Sequence, residues 1–558
     1  MRKSEVRLSL SAAASMQVLE NRRMLSVAAQ PVRKPDDYLS EELTTADVES
    51  ILASAASQAN RKQILVVVDR EGVILGSFAM RKAATDPATR GRELGKAIAR
   101  ARTAAFFEST QDAFTTRTAR FIIQDHFPHP VQNTPGGPLY GVEFSSLPTS
   151  DILPDSSRNL PAGAVPLNIS GDPGGIPLFK NGIPVGGIGV AGDGRDVAVR
   201  KDLIKTLNDP DNPHNKYYNG PEEHDLDEAV ALAGARDFMA PPKIRATQIF
   251  LAGLRFPFTL DAPSSGQTTH TFAQLLATGV GSVIDAPTDS HQATAFPIAT
   301  VAGVAGQLKN TFASDFKADD STDPQSVKLS KADVEGIIAD AVKQSIAIRA
   351  AIREPNGVPA RVHIAVVDLQ GNLLGAFRMA DGTNFSFDVA VQKARTARFF
   401  SDDTHAFSAT AIGFMAQAFF PPGIASSGPG PLFHIQNELS LTPFLGAPLE
   451  NGITIFPGGV PLYKHGQLVG AVGVSGDGVE QDDMIAFAGG KRFAPAKAIR
   501  SDALSGASVV TFIGQKIDEL ARDFALSRKE RVFAENRIRA GLDGIRLPYV
   551  KFPRNPEL

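Results

Sequence analysis

The sequence predicts an α+β protein, a two-layer sandwich with a mostly antiparallel five-stranded sheet and helices on one face, duplicated in tandem. Three observations carry that expectation. Blocks of sequence recur once along the chain, each copy sets short β-branched runs around Gly-centred turns, and apolar residues at helical spacing stand between those runs. A chain of 558 residues also exceeds what one ordinary hydrophobic core serves, so more than one folded unit is required.

The repeat sets the boundaries. Leu43-Thr44-Thr45-Ala46-Asp47-Val48-Glu49 returns as Leu329-Ser330-Lys331-Ala332-Asp333-Val334-Glu335. Val66 to Asp69, Gly72, Gly76, Phe78 and Met80 return as Ala365 to Asp368, Gly371, Gly375, Phe377 and Met379. The run Ala101 to Phe107 returns as Ala394 to Phe400, and Pro173 to Leu178 as Pro457 to Leu462. Residues 1–36 therefore read as an N-terminal targeting-like arm, 40–262 as copy one, 263–328 as a linker, and 329–558 as copy two with a C-terminal extension.

Each element follows from local chemistry. Thr44 with Asp47, and Ser330 with Asp333, are capping signals before Val48, Ile51, Leu52 and Ala55 or Val334, Ile337, Ile338 and Ala341 at helical spacing. Ile64 to Asp69 and Val362 to Asp368 are strand runs closed by Gly72 or Gly371, with a second apolar run completing a hairpin. Two helices follow, one holding the ARTAxFF block and one running from Phe114 to Phe127 or Phe407 to Phe420. A strand is expected near 138–145 and 431–437. The next hairpin turns at Asn181-Gly182 or His465-Gly466, where positive φ is tolerated. Leu226 to Phe238 and Asp482 to Phe493 form the last helix. The linker reads as irregular, with one weak helix from Ala302 to Phe312. Copy one carries a polar insertion from Arg195 to His224, and copy two a charged helix from Arg522 to Arg539.

Composition removes several function classes. A formal charge of -3 provides no global basic field for phosphate backbones, so nucleic acid is not an expected partner. The absence of Cys excludes disulfides, thiolate nucleophiles, Fe–S clusters and Cys-ligated zinc, leaving any metal to His, Met or oxygen donors. No apolar run reaches the roughly 18 residues that a spanning helix needs, so no transmembrane segment is expected. Leu19-Glu20-Asn21-Arg22-Arg23-Met24-Leu25-Ser26 resembles a short tag found at the start of many exported proteins of one bacterial phylum. That resemblance implies export to periplasm, cell surface or medium; the plain reading is a basic amphipathic arm.

The Pro-Gly-Gly-x-Pro-Leu hairpin, Gly473-Val474-Ser475-Gly476, and Asp482 ahead of Ala486-Phe487-Ala488-Gly489 together resemble the GlcG/HbpS-like haem-binding (haem-degrading) domain family. Copy two follows the family outline at Val366 to Met379, Lys393 to Ala397, Gly458 to Gly476 and Asp482 to Gly489. Copy one departs from it, with Ala191 at the Ser475 position and Arg100 at the Lys393 position. The resemblance implies a self-associating sandwich that binds haem or a related tetrapyrrole, with haem degradation as an attendant activity. The alternatives are a non-catalytic oligomerising or interaction module outside the cytoplasm, or an accessory protein for small-molecule metabolism.

Candidate site residues follow from what haem requires: an apolar slot, cations for the propionates and an axial donor. Arg395, its counterpart Arg102, and Lys393 are the cationic candidates, because Arg can clamp a carboxylate through two parallel hydrogen bonds. Weak oxygen ligation makes Thr396 and Thr404 candidates, and His434 is a further donor; no His is shared between the copies. No axial metal ligand and no catalytic set emerges. Met80 and Met379 read as core, and Asp69 and Asp368 as carboxylates serving their turns. Gly187-Ile188-Gly189-Val190-Ala191-Gly192 matches a dinucleotide fingerprint, but the other copy does not repeat the spacing and no helix follows directly, so the glycines read as strand packing. The copies are expected to pack as a pseudo-dimer, with copy two the tighter haem binder.

Overall fold

In the computed structural model, the described residues are 35–83, 85–123, 127, 137–142, 150–152, 160–161, 163–164, 167, 169–192, 224–251, 254–260, 270–290, 296–310, 328–417, 420, 428–435, 449–523, 528–541 and 546–550. The arm expected over 1–36 and the insertion at 195–224 fall almost wholly outside them. After a short helix α1 (Pro35–Ser40), copy one runs α2 (Thr45–Gln58), β1 (Ile64–Asp69), β2 (Ile74–Met80), α3 (Pro87–Phe106), α4 (Thr116–Ile122), β3 (Gly175–Lys180), β4 (Ile183–Ala191) and α5 (Leu226–Gly234). The segment between copies holds β5 (Phe250–Leu251), β6 (Leu254–Arg255), α6 (Phe272–Ala277), β7 (Gly281–Asp285), β8 (Ile298–Val301) and β9 (Val304–Asn310). Copy two runs α7 (Lys331–Ala347), β10 (Val362–Val367), β11 (Leu373–Met379), α8 (Phe385–Phe399), α9 (Ala409–Met415), β12 (Gly459–Lys464), β13 (Gln467–Gly476) and α10 (Val479–Gly490). Helices α11 (Gly506–Asp523) and α12 (Arg528–Gly541) form the extension.

The duplication is visible in the pairing. Both sheets are antiparallel, in the order β3-β4-β1-β2-β7 and β12-β13-β10-β11-β9-β8. The first hairpin of each copy slips register at the same place, between Val67 and Val68 and between Val366 and Val367. The second hairpin turns on two left-handed residues in each copy, Asn181 and Gly182 at φ 53° and 75°, His465 and Gly466 at 53° and 82°. Capping boxes at Thr44 and Ser330 start α2 and α7.

Three expectations are corrected. The segment 263–328 is not a plain linker, because β7 extends the first sheet beside β2 while β8 and β9 extend the second beside β11. The helix expected over Ala302 to Phe312 is instead strand: Ala302 and Gly303 both take positive φ and join β8 to β9 as a two-residue hairpin. No strand forms at 138–142 or 431–435, where Tyr140, Val142 and Phe433 donate to carbonyls three residues back, leaving a turn and a helical turn beginning at Phe433.

The α+β class, the antiparallel pairing and the tandem arrangement are as expected, but helices cover both faces of each sheet. Every residue of β1 and β10 is buried, which a strand exposed on one face would not allow. In copy one, Leu65 and Val67 pack with α2 and α5, while Ile64, Val66 and Val68 pack with α3. The α3 face of copy one and the α8 face of copy two then share one core, with Ala97, Ala101 and Ala105 in the same cluster as Phe387, Ala390 and Ala394. The copies therefore meet as a pseudo-dimer inside one chain.

The glycines of the β4 and β13 strands allow that layering. A Cβ on Gly189 would stand 2.0 Å from Ala97 O, and one on Gly473 2.0 Å from Ala390 O, so the helix lies directly on bare backbone. This accounts for the fingerprint-like spacing without a dinucleotide. Gly473→Ala should therefore cost about 2–4 kcal/mol in urea unfolding. Gly514→Ala, at a helical position with nothing within 4 Å of the added carbon, should be neutral or mildly stabilising. Equal effects would show that α8 yields to the extra carbon.

Candidate functional site

Helix α8 carries three of the six candidate residues, and the structure turns them toward different partners. Lys393 is fully buried; its Nζ donates to Val474 O and to Asp482 Oδ2, each at 2.8 Å. Copy one repeats this with Arg100, whose Nη1 donates to Val190 O and, at 2.8 Å, to Asp227 Oδ2. In both copies a cation on the inner helix thus reaches a strand carbonyl and the carboxylate at the start of the helix on the opposite sheet face. Burial pushes the Asp482 carboxyl up to about 6, against the pull of Lys393, and pushes Lys393 down. Gly174 and Gly458, at φ 114° and 113°, make room: a Cβ on Gly458 would lie 2.8 Å from the Asp482 Cβ. Lys393 is therefore a lock between layers, with its ammonium committed to Val474 O and Asp482.

Arg395, two residues on, lies on the opposite side of α8. All five of its N–H groups are engaged. Nε donates to Gly371 O at 2.9 Å, Nη1 and Nη2 to the two oxygens of Asp151 at 2.8 and 2.9 Å, Nη1 also to Asn451 Oδ1 at 3.0 Å, and Nη2 to Glu450 Oε2 at 3.3 Å. The carboxylate gripped by both oxygens is Asp151 of copy one, in the place where a propionate is expected from the sequence. The same face of α8 holds residues 150–152: Asp388, seven residues earlier, accepts from Ser150 Oγ, Asp151 N and Ile152 N at 2.8, 2.8 and 3.3 Å. Burial, reinforced by Asp151, pushes Asp388 up to about 8.

The other candidates do not converge with these. Thr396 is buried and its Oγ1 accepts from Thr454 N at 3.0 Å, as Thr103 accepts from Ser170 N, so both hydroxyls pin the chain entering the second hairpin. Thr404 is exposed and bonds to Asp402 at the end of that helix. There His405 bridges Asp402 Oδ1 and Ser508 Oγ, each at 3.1 Å, and stacks on Phe512 with centroids 4.2 Å apart, docking α11. His434 is half-buried beside Phe433 in the helical turn that replaced the expected strand. Arg102 is buried, with Nε donating to Gly72 O at 2.9 Å. Asp69 and Asp368 accept from turn N–H groups as expected, and Met80 and Met379 are core. Among the described residues no group of three or more His, Asp or Glu stands together as a metal site. Among the described residues no helix is long and apolar enough to cross a membrane.

Two measurements check this electrostatic reading. Lys393→Met alone should destabilise by about 3–5 kcal/mol by leaving Asp482 buried without its cation, and Asp482→Leu added to it should recover most of the loss; simple additivity would deny the lock. The Asp388 value near 8 stands above the ordinary 3.8, so the folded protein holds a proton that the unfolded chain releases. That contribution is complete below about pH 4 and is lost as pH rises through 8. Unfolding free energy should accordingly fall by about 2–4 kcal/mol more between pH 5 and 8 in the parent than in Asp388→Asn. Equal falls would mean that Asp388 is ionised throughout.

Residues 338–491 match the family model described as haem degrading protein, HbpS-like. An uncharacterized 15.0 kDa protein of Citrobacter freundii is 35% identical over 149 residues, which are 27% of this chain and 85% of that protein. The corrinoid adenosyltransferase PduO of Salmonella typhimurium is 30% identical over 138 residues, 25% of this chain and 34% of that protein, so about a third of PduO is matched. Among solved structures, the Klebsiella pneumoniae protein ORFY is 25% identical, with 31% of this chain and 96% of that one covered at a TM-score of 0.22. HbpS of Streptomyces reticuli is 22% identical, with 30% and 90% covered at 0.21. With the Pro-Gly-Gly hairpin, the lysine–aspartate lock and the matched relative nearly spanned, the chain belongs to the HbpS-like family, and its second copy carries the match.

Proposed function

We propose that this protein binds haem or a closely related tetrapyrrole, and that it degrades the bound haem oxidatively. The observation that carries the reading is the match of residues 338–491 to a family described by haem degradation. The similarity to a corrinoid adenosyltransferase, a corrinoid being a related macrocycle, points the same way. The chemistry of the fold is compatible with it. Each copy anchors an arginine by a glycine carbonyl, and in copy two that arginine grips a carboxylate by both oxygens, the contact a propionate makes. Of the oxygen and nitrogen donors considered for iron, Thr404 and His434 lie nearer the surface, whereas Thr396 is enclosed and engaged. Haem, when bound, would supply the redox chemistry, and the chain's part is to hold the propionates and shield the ring.

Export is part of the same proposal and rests on the tag-like run Leu19 to Ser26. Removing those eight residues should abolish export in the native host; unchanged localisation would remove that part. A non-catalytic interaction module is the alternative, and one titration separates the two. Haemin added to the full-length protein should give a shifted, saturable Soret band, and peroxide, or dioxygen with ascorbate as electron donor, should then bleach it with release of iron. Absence of a saturable band would overturn the binding reading, and a stable band under oxidant would overturn degradation alone.

A further inference from the structure

The two copies anchor the equivalent arginine identically, yet only one of the two guanidinium groups has all its donors engaged. Nε of Arg395 donates to Gly371 O and Nε of Arg102 to Gly72 O, both at 2.9 Å, and the two glycines occupy the same place in the repeat. Both guanidinium groups are buried, at 4% and 3% exposure. Beyond the shared anchor they diverge. Arg395 has all five donors engaged, two of them on Asp151. Among the described residues Arg102 makes only its bond to Gly72, and its Nη2 is buried without a partner.

The neighbourhood of Arg102 does not supply the missing charge. Asp69 lies close enough to favour the cation, but its carboxyl is held well above the usual range, chiefly by burial. One Asp69 oxygen accepts from Val73 N and the other faces Ser290 Oγ at 3.5 Å. Burial lowers Arg102 itself to about 10, which leaves a cation at neutral pH in a setting where an unpaired charge is costly. The displacement that aligns the ARTA blocks puts Gly95 at the place of Asp388. Copy one therefore lacks the carboxylate that holds the 150–152 loop against Arg395 in copy two.

We infer that Arg102 is a buried carboxylate seat that the chain itself leaves unfilled and an external ligand's carboxylate takes, and that Asp151 is a tethered carboxylate filling the equivalent seat in copy two. The ligand class is a carboxylate on an apolar body. A tetrapyrrole propionate is the member of that class that rests on the function proposed above, and a small aromatic acid is the member that does not. The consequence reverses the order expected from sequence: copy one receives the anion, although copy two follows the family pattern more closely.

The test uses the full-length protein with haemin, haemin dimethyl ester and benzoate as probes. Arg102→Met should weaken haemin binding by about ten- to a hundredfold, and should leave binding of the dimethyl ester, which has no free carboxylate, unchanged. Asp151→Asn should free Arg395 and admit a second equivalent of haemin. Haemin affinity unchanged in Arg102→Met, or lost only in Arg395→Met, would overturn the assignment. If haemin binds none of the proteins, the tetrapyrrole reading fails by itself and benzoate decides the seat. Benzoate should then raise the melting temperature of the parent and not of Arg102→Met, and equal responses would overturn the inference. Without ligand, Arg102→Met should melt at or above the parent temperature because a buried unanswered cation is gone; a lower temperature would show that Arg102 is a structural residue.

Discussion

A cation buried at the edge of each sheet holds the two faces of that sheet in register. Lys393 in one copy and Arg100 in the other extend from the inner helix, meet a strand carbonyl, and end on the aspartate that opens the outer helix. A buried pair of this kind is weak evidence of stability taken alone, since desolvation offsets much of the attraction. Its value here is geometric, because two helices on opposite sheet faces that share no hydrophobic cluster with each other are tied by one side chain. The left-handed glycine and the glycine-lined strand then follow as the backbone conditions under which helix, strand and outer aspartate come close enough.

Sequence alone reached the parts of this arrangement that depend on neighbours along the chain. The hairpins at Asn181-Gly182 and His465-Gly466 and the capping boxes at Thr44 and Ser330 are local events, and each stands where its residues placed it. The unbroken apolar run Ile64 to Val68 corresponds to a strand covered on both faces, whereas the Gly-centred turns alone are equally compatible with a sheet covered on one. What stayed out of reach is long-range pairing. Asp482 lies 89 positions from Lys393, and Asp151 lies 244 from Arg395 in the other copy. No spacing rule links such residues, so a saturated guanidinium and an unsaturated one look alike on paper.

The divergence of the copies is concentrated where they meet. Their locks differ only by exchange of lysine for arginine, and the companion contact on the last helix changes from Arg117–Glu228 to Thr410–Asp483 without losing its hydrogen bond. Across the shared core the differences are larger: Glu71 pairs with Arg378, Thr110 with Asp381, and the 150–152 loop with Asp388 and Arg395. A two-fold dimer of identical subunits would make each such contact twice; here Gln370 and Ala79 stand where the counterparts of Glu71 and Arg378 would be, and that one-sidedness requires halves free to change separately.

The segment between the copies makes that union hard to reverse. Because β7 borders the first sheet while β8 and β9 border the second, the bridge has become an edge for both halves. A gene that lost either half would leave strands without a sheet to join, exposing unpaired backbone of the sort that invites aggregation. Fusion thus acts as a ratchet in descent: the connecting stretch, once recruited to both sheets, turns a convenient tether into a part that neither half can give up.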